Sequence, residues 1–236
     1  LSLIILLSFV SIFSQNGASN CEGAEPSCSD ENGVKIFPNV TGSPDGGTIG
    51  CLGQTPNQAW FFIKIDQTGS LEFDIIQNSS FDVDGNPNGT DLDVDFIAWG
   101  PFRTAENNCS SLEYNAGIGQ SNTSESGVLN NYYIDNQDMS NVIDCSYSSR
   151  FIETFRIPNA NAGDYYVLLV TNFSNADGFI KLVQTNFGEA GAGVTDCTIV
   201  VGELGLDQDV CVGTDVELDA TPTTGTVDTY EWHVFI

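Results

Sequence analysis

Nowhere in this chain do apolar residues recur at a helical spacing. They come instead in short β-branched and aromatic blocks broken by Gly, Asn, Asp, Ser and Pro, which restricts the fold to strands. The clearest blocks are Val34–Val40, Ala59–Ile65, Leu71–Gln77, Leu92–Trp99, Phe151–Ile157, Asp164–Thr171, Gly178–Gln184 and Thr198–Val201. Breakers at Gly42–Gly47, Asp84–Thr90 and Asn172–Gly178 fall between them. Many short strands with turn signals predict an all-β sandwich or barrel. Two blocks, AWFFIKI from Ala59 and DYYVLLV from Asp164, are almost continuously apolar, as expected of strands covered on both faces. Residues Ala105–Asp144 differ, being rich in Asn, Ser and Gly, and read as a long insertion between strands.

Charge removes whole classes of function. Six Lys and Arg stand against 32 Asp and Glu, a net charge of −26. Such a chain has too few cations to follow a nucleic-acid backbone or an anionic membrane. The lone histidine, His233, excludes a His-based triad or a multi-His metal site within the chain. There is no GxSxG elbow and no glycine-rich phosphate loop, and no pair among the many carboxylates is marked as desolvated. No enzyme is expected. Disorder is not expected either, because 41% of residues are hydrophobic and 11% aromatic, in strand-like blocks.

The first residues, LSLIILLSFVSIFSQ, have the length and character of a signal-peptide apolar region, with cleavage expected near Ser14–Gln15. A secreted protein follows, with no membrane insertion of the mature chain. The seven cysteines match no zinc spacing and read as disulfides of an oxidising compartment. Sequence leaves many connectivities open for six of them. The expected set is Cys21–Cys28, Cys51–Cys197 and Cys109–Cys145, the first closing a short loop and the last flanking the insertion. Cys211 is left over, with its partner expected beyond Ile236. Two units are expected: a sandwich over 20–198, and over 202–236 the first strands of an Ig-like domain. Cys211 and Trp232 there fit the early-strand cysteine and third-strand tryptophan of such folds.

Three stretches, AWFFIKIDQTGSLEFDI, DVDFIAWGPF and IPNANAGDYYVLLVTNFSNADGFIKLVQTN, resemble the N-terminal region of multidomain secreted surface proteins of gliding and marine Bacteroidetes. The following LGLDQDVCVGTDVELDAT and YEWHVF are similar to the PKD or Ig-like repeats that trail such regions. The resemblance implies a jelly-roll or CUB-like sandwich, a cell-surface location, and a role as an adhesin or as an accessory module of a secreted hydrolase.

Two constellations are candidate sites. Asp82, Asp84, Asn86 and Asn88 form an oxygen-rich loop before a strand on which Asp91, Asp93 and Asp95 share one face, opposite Leu92, Val94 and Phe96. These are hard ligands of the kind Ca²⁺ takes. An EF-hand is excluded, because the glutamate it needs is replaced by Asp93. A solvated acidic face is the alternative. Trp99, Phe102, Tyr132 and Tyr133 are candidates to stack on a sugar ring, with burial in the core as the alternative. The expected function is a non-catalytic surface adhesin or filament module, with structural calcium and a glycan, a protein surface or further copies of itself as partners. The second expectation is a carbohydrate-binding module of a secreted hydrolase.

Overall fold

The computed structural model describes residues 18–28, 34–104, 108–112 and 141–198. The apolar leader, Tyr132 and Tyr133, Cys211 and the whole of 202–236 lie outside the described residues, as does nearly all of the expected strand Thr198–Val201. Among the described residues ten strands are present: β1 (Glu25–Pro26), β2 (Val34–Pro38), β3 (Gln58–Gln67), β4 (Gly69–Asn78), β5 (Val94–Phe102), β6 (Val142–Ser146), β7 (Ile152–Ala160), β8 (Tyr165–Asn172), β9 (Phe179–Gln184) and β10 (Val194–Thr195). Short 3₁₀ turns occupy Cys21–Gly23 and Asn108–Ser111. Among the described residues no helix is long and apolar enough to cross a membrane.

The strands make two sheets. The four-stranded sheet runs β2-β9-β4-β7, and the six-stranded sheet runs β1-β3-β8-β5-β6 with β10 also on β3. From β2 to β9 the chain crosses repeatedly from one sheet to the other, the winding of an eight-stranded jelly roll. The all-β expectation therefore holds. Three strands were not expected: the two-residue β1 and β10, and β6, which straddles the C-terminal end of the segment read as an insertion.

Period-2 alternation fills the space between the sheets. Phe61, Ile63 and Ile65 of β3, Phe73 and Ile75 of β4, Phe96 and Ala98 of β5, and Phe155 and Ile157 of β7 all belong to this inner core. Phe155 ties it together, stacked on Phe73 at 5.5 Å between ring centroids and edge-on to Phe96 at 5.8 Å. Each such buried ring contributes roughly 1.5–3 kcal/mol relative to exposure.

The alternate residues of β3, β8 and β5 point the other way and find a second core. Trp60, Val167, Leu169, Ile97 and Trp99 are covered by Cys21, Ile49, Cys51, Leu52 and Leu112 from irregular segments. This second cover is why AWFFIKI and DYYVLLV carry apolar residues on both faces. Trp60 and Trp99 stack there at 5.7 Å, with an interplanar angle of 11°.

All three expected disulfide pairings are overturned. The bridges are Cys21–Cys109, Cys28–Cys197 and Cys51–Cys145. Cys21 and Cys28 flank β1, which pairs with β3 and keeps the segment extended, so neighbours in sequence are carried apart. Cys28 instead meets Cys197 because β1 and β10 lie on the same edge of β3, at Phe61–Phe62 and at Ile65–Gln67. Those two short strands, with the bridge Ala18–Trp60, cover an edge that would otherwise be open to pairing. The three cross-links place the domain in an oxidising compartment, outside the cell or at its surface.

Buried amides close one end of the sandwich. Asn172 accepts from Gln77 Nε2 at 2.6 Å, and its Nδ2 donates to the carbonyls of Val40 and Ala176. Asn57, at a positive φ of 51°, donates to the Asn172 carbonyl and to Asn175 Oδ1. Asn tolerates that backbone conformation better than most side chains.

Candidate functional site

The expected calcium ligands divide between two places. Asp82 turns back on its own loop: one oxygen accepts from the backbone N–H of Asp84 at 3.0 Å and of Asn86 at 2.8 Å, and Asn86 Nδ2 also donates to the carboxylate. The Asn86 N–H first, then that loop's other donors, holds the Asp82 carboxyl below its ordinary value, as a fully exposed Asx turn does. The loop is the tip of a hairpin over residues 79–90, closed by Ser79 N–H to the Thr90 carbonyl and Asn88 N–H to the Ser80 carbonyl. Asp91 accepts from Asn78 Nδ2 at 2.9 Å. Among the described residues no group of three or more His, Cys, Asp and Glu is arranged to hold a metal ion.

Asp93 and Asp95 go elsewhere. With Val94 and Phe96 committed to the inner core, Asp95 turns to the opposite side of β5, the side of Ile97 and Trp99. There the two carboxylates line a cleft of about 210 Å³ with Tyr147, Ser148, Ser149 and Phe173. Tyr147 and Phe173 meet edge to face at 5.7 Å. Three chain segments build it: the start of β5, the β6–β7 turn and the residue after β8.

The cleft is short of hydrogen-bond donors for the charge it holds. Asp95 is 1% exposed, and its Oδ1 accepts from Ser148 N–H at 2.9 Å. Asp93 Oδ1 is buried with no hydrogen-bond partner among the described residues. Burial pushes the Asp93 carboxyl up to about 6. Burial first, then the charges of Asp93 and Glu153, pushes Asp95 up to about 8 against the pull of the Ser148 N–H. Glu153 accepts a short hydrogen bond from Ser148 Oγ and is also raised, by burial above all. Tyr147 is raised too, by burial and then by Asp95, Asp93 and Asp45. Asp144, beneath this turn on β6, reaches about 7 through burial, although it accepts from the Arg156 and Cys145 N–H groups. Near pH 7 Asp95 therefore holds a proton, or a bound cation in its place.

The aromatic candidates fare differently. Trp99 is fully buried against Trp60 and offers no face to a sugar. Phe102 is partly buried against the same second core. Tyr132 and Tyr133 lie outside the described residues.

Sequence reasoning missed Tyr147, Ser148, Ser149, Phe173 and Glu153. One signal was present: in FIETFRI the inward phase reads Glu153, Phe155, Ile157, so a carboxylate occupies a position that alternation assigns to the core. Nothing in the segment Tyr147–Ser149 announces that it folds beside Asp93.

No known family profile and no curated protein matches the chain. Among solved structures, one similar chain is CorA of Methylomicrobium album BG8, described as a surface-associated copper-binding protein important in copper acquisition. It shares 12% identity, over 67% of this chain and 96% of that one, with a TM-score of 0.34.

Proposed function

We propose that this chain is a secreted, non-catalytic surface module, of adhesin or filament type, in which a cation bridges Asp93 and Asp95. The observation that carries this reading is the cleft itself. Two carboxylates, one of them almost wholly buried, face a cavity with a single backbone donor between them among the described residues. Carboxylate and hydroxyl oxygens from Asp93, Asp95, Ser148 and Ser149 suit a hard cation, and Ca²⁺ is the first to test. Water would complete the shell, because the side chains alone are too few for the six to eight ligands calcium takes. The role of the ion is structural: it would clamp the β6–β7 turn to the start of β5.

The surface-module reading draws on the cross-links. Cys51–Cys145 fastens a loop to β6, Cys21–Cys109 joins two 3₁₀ turns, and Cys28–Cys197 joins the segments that follow β1 and β10, which suits a domain that must persist outside the cell. The sugar-binding alternative loses Trp99, one of its four candidates.

Thermal melts in EDTA and in millimolar calcium at pH 7.4 test the ion. Calcium at about a hundred times its Kd adds about 2.7 kcal/mol, or roughly 5–10 °C for a domain of this size. Identical melts in both buffers would remove the cation from the reading. Calcium-dependent capture on extracellular glycan or protein arrays, released by EDTA, tests the adhesive role.

A further inference from the structure

At the end of the four-stranded sheet away from Gln77, β4 and β7 part. Gly69 pairs with Ala160 and Leu71 with Ile157, so one residue of β4, Ser70, stands opposite two of β7, Pro158 and Asn159. This is a β-bulge, and two local causes account for it. Pro158 has no N–H to give to a ladder. Ser70 turns its own backbone to the segment before β10: its N–H donates to the Gly191 carbonyl at 3.1 Å, and its carbonyl accepts from the Gly193 N–H at 2.8 Å. Where the strands separate, a cavity of about 350 Å³ opens between the β3–β4 turn, the end of β7 and Gly191. It is larger than the carboxylate cleft and falls within the size range of small-ligand sites.

The groups lining this cavity have hydrogen bonds left to make. Thr68 Oγ1 accepts from the Ala162 N–H at 3.0 Å, and Ser70 Oγ accepts from Asn186 Nδ2 at 3.4 Å; neither hydroxyl proton has an acceptor among the described residues. Asn161 Nδ2 donates to Asp164 Oδ2 at 3.1 Å, which leaves Asn161 Oδ1 to accept. The Asn159 side chain is exposed and makes no hydrogen bond among the described residues. Of the 32 acidic and six basic residues in the chain, none lines the cavity.

We propose that this cavity is a binding site for a neutral saccharide. Sugar hydroxyls both donate and accept, which matches two hydroxyls, one whole amide and one amide oxygen. The exposed ring of Pro158 gives the C–H face of a sugar an apolar rest. Charge excludes the other small polar ligands. A metal cation finds no carboxylate here, and an anion meets no Lys or Arg on a chain whose net charge of −26 repels it. The site uses none of the four aromatic candidates, and a few neutral hydrogen bonds give weak binding, on the order of millimolar for one copy. Copies displayed together on a surface gain through avidity. The inference rests on the surface-module reading for the glycan the domain would meet. It is independent of the cation, because the cavity shares no residue with the Asp93–Asp95 cleft.

Arrays of neutral and anionic oligosaccharides, probed in EDTA and in calcium with the full disulfide-bonded chain displayed multivalently, select the probe. The neutral oligosaccharide captured best is then titrated to about 10 mM into the isotope-labelled chain in EDTA, with amide chemical shifts as the readout. Shifts are expected at Thr68–Ser70, Asn159–Asn161 and Gly191. Affinity should fall about fivefold in Asn159→Ala and at least about tenfold in Asn159→Ala with Thr68→Val. Both residues are exposed, and a melt confirms that the variants fold. No capture of a neutral saccharide, capture of anionic ones only, capture that EDTA abolishes, or binding indifferent to both variants overturns the inference. Capture abolished by EDTA would still leave the surface-module reading in place, and identical calcium melts would remove the cation while leaving this site untouched.

Discussion

Asp95→Asn changes one oxygen for an amide nitrogen inside the cleft and leaves the acceptor of the Ser148 N–H in place. Its consequence follows from where the wild-type proton resides. In the folded chain the Asp95 carboxyl is pushed up to about 8, against an ordinary value of 3.8. Between those values the folded state holds a proton that the unfolded state has released. Folding then takes up a proton, and stability falls as pH rises through that window. The penalty is absent below about pH 4 and complete above the folded value. Each such proton contributes about 1.4 kcal/mol per pH unit. From pH 5 to pH 7 Asp95 alone therefore removes about 3 kcal/mol that the asparagine variant retains. Urea unfolding at pH 5, 6 and 7 in EDTA, followed by circular dichroism, gives both slopes. The variant should lose stability less steeply by one proton's worth and exceed wild type most at pH 7. Parallel pH profiles, or a variant less stable than wild type at pH 7 without metal, would refute the reasoning.

Four further outcomes follow from geometry. Gly69→Ala places a methyl 2.4 Å from Gly193 N and 2.5 Å from the Gly191 carbonyl, backbone atoms with no room to yield; a loss of about 2 kcal/mol or more is expected in a melt. Peptide mapping of the oxidised chain should recover Cys21–Cys109, Cys28–Cys197 and Cys51–Cys145. The paired change Cys51→Ser with Cys145→Ser, which opens a bridge of sequence separation 94, should cost about 3–5 kcal/mol in denaturant. Trp99→Ala removes the ring stacked on Trp60 and should destabilise by about 3–5 kcal/mol, with a change in intrinsic fluorescence, while leaving any captured glycan bound.

What the sequence disclosed depended on the range of the interaction. β3 and β8 were legible because their apolar runs are set by local burial on two faces. The inward phase of Leu92, Val94 and Phe96 was legible for the same reason, since alternation is a local rule. β6 was hidden because VIDCS is short, carries one buried aspartate and follows a polar segment. Cys21–Cys28 and Cys109–Cys145 were misjudged because a short loop and the insertion's flanks were used where strand pairing decides: β1 and β10 meet on β3, and nothing local to Cys28 or Cys197 says so. The acidic run was half legible. Alternation gave the common face of Asp93 and Asp95, but could not say that Tyr147 and Phe173, from distant turns, would cover it.

Mechanically, the Cys28–Cys197 bridge separates the domain from the line of pull. Tension applied before Cys21 and after Cys197 passes along the short segment to Cys28, crosses the sulfur–sulfur bond and leaves through Cys197. Strands β2 to β10 lie inside the closed loop, which spans a sequence separation of 169. The load reaches them where β1, on the short segment, pairs with the edge of β3 and where Cys21 is bridged to Cys109. Cutting this one bond puts the sandwich in series with whatever pulls on it; with Cys21–Cys109 and Cys51–Cys145 still closed, roughly 30 nm of chain can then be drawn out. With the bond intact, most of the jelly roll is held beside the line of pull, as a bead held by a clasp.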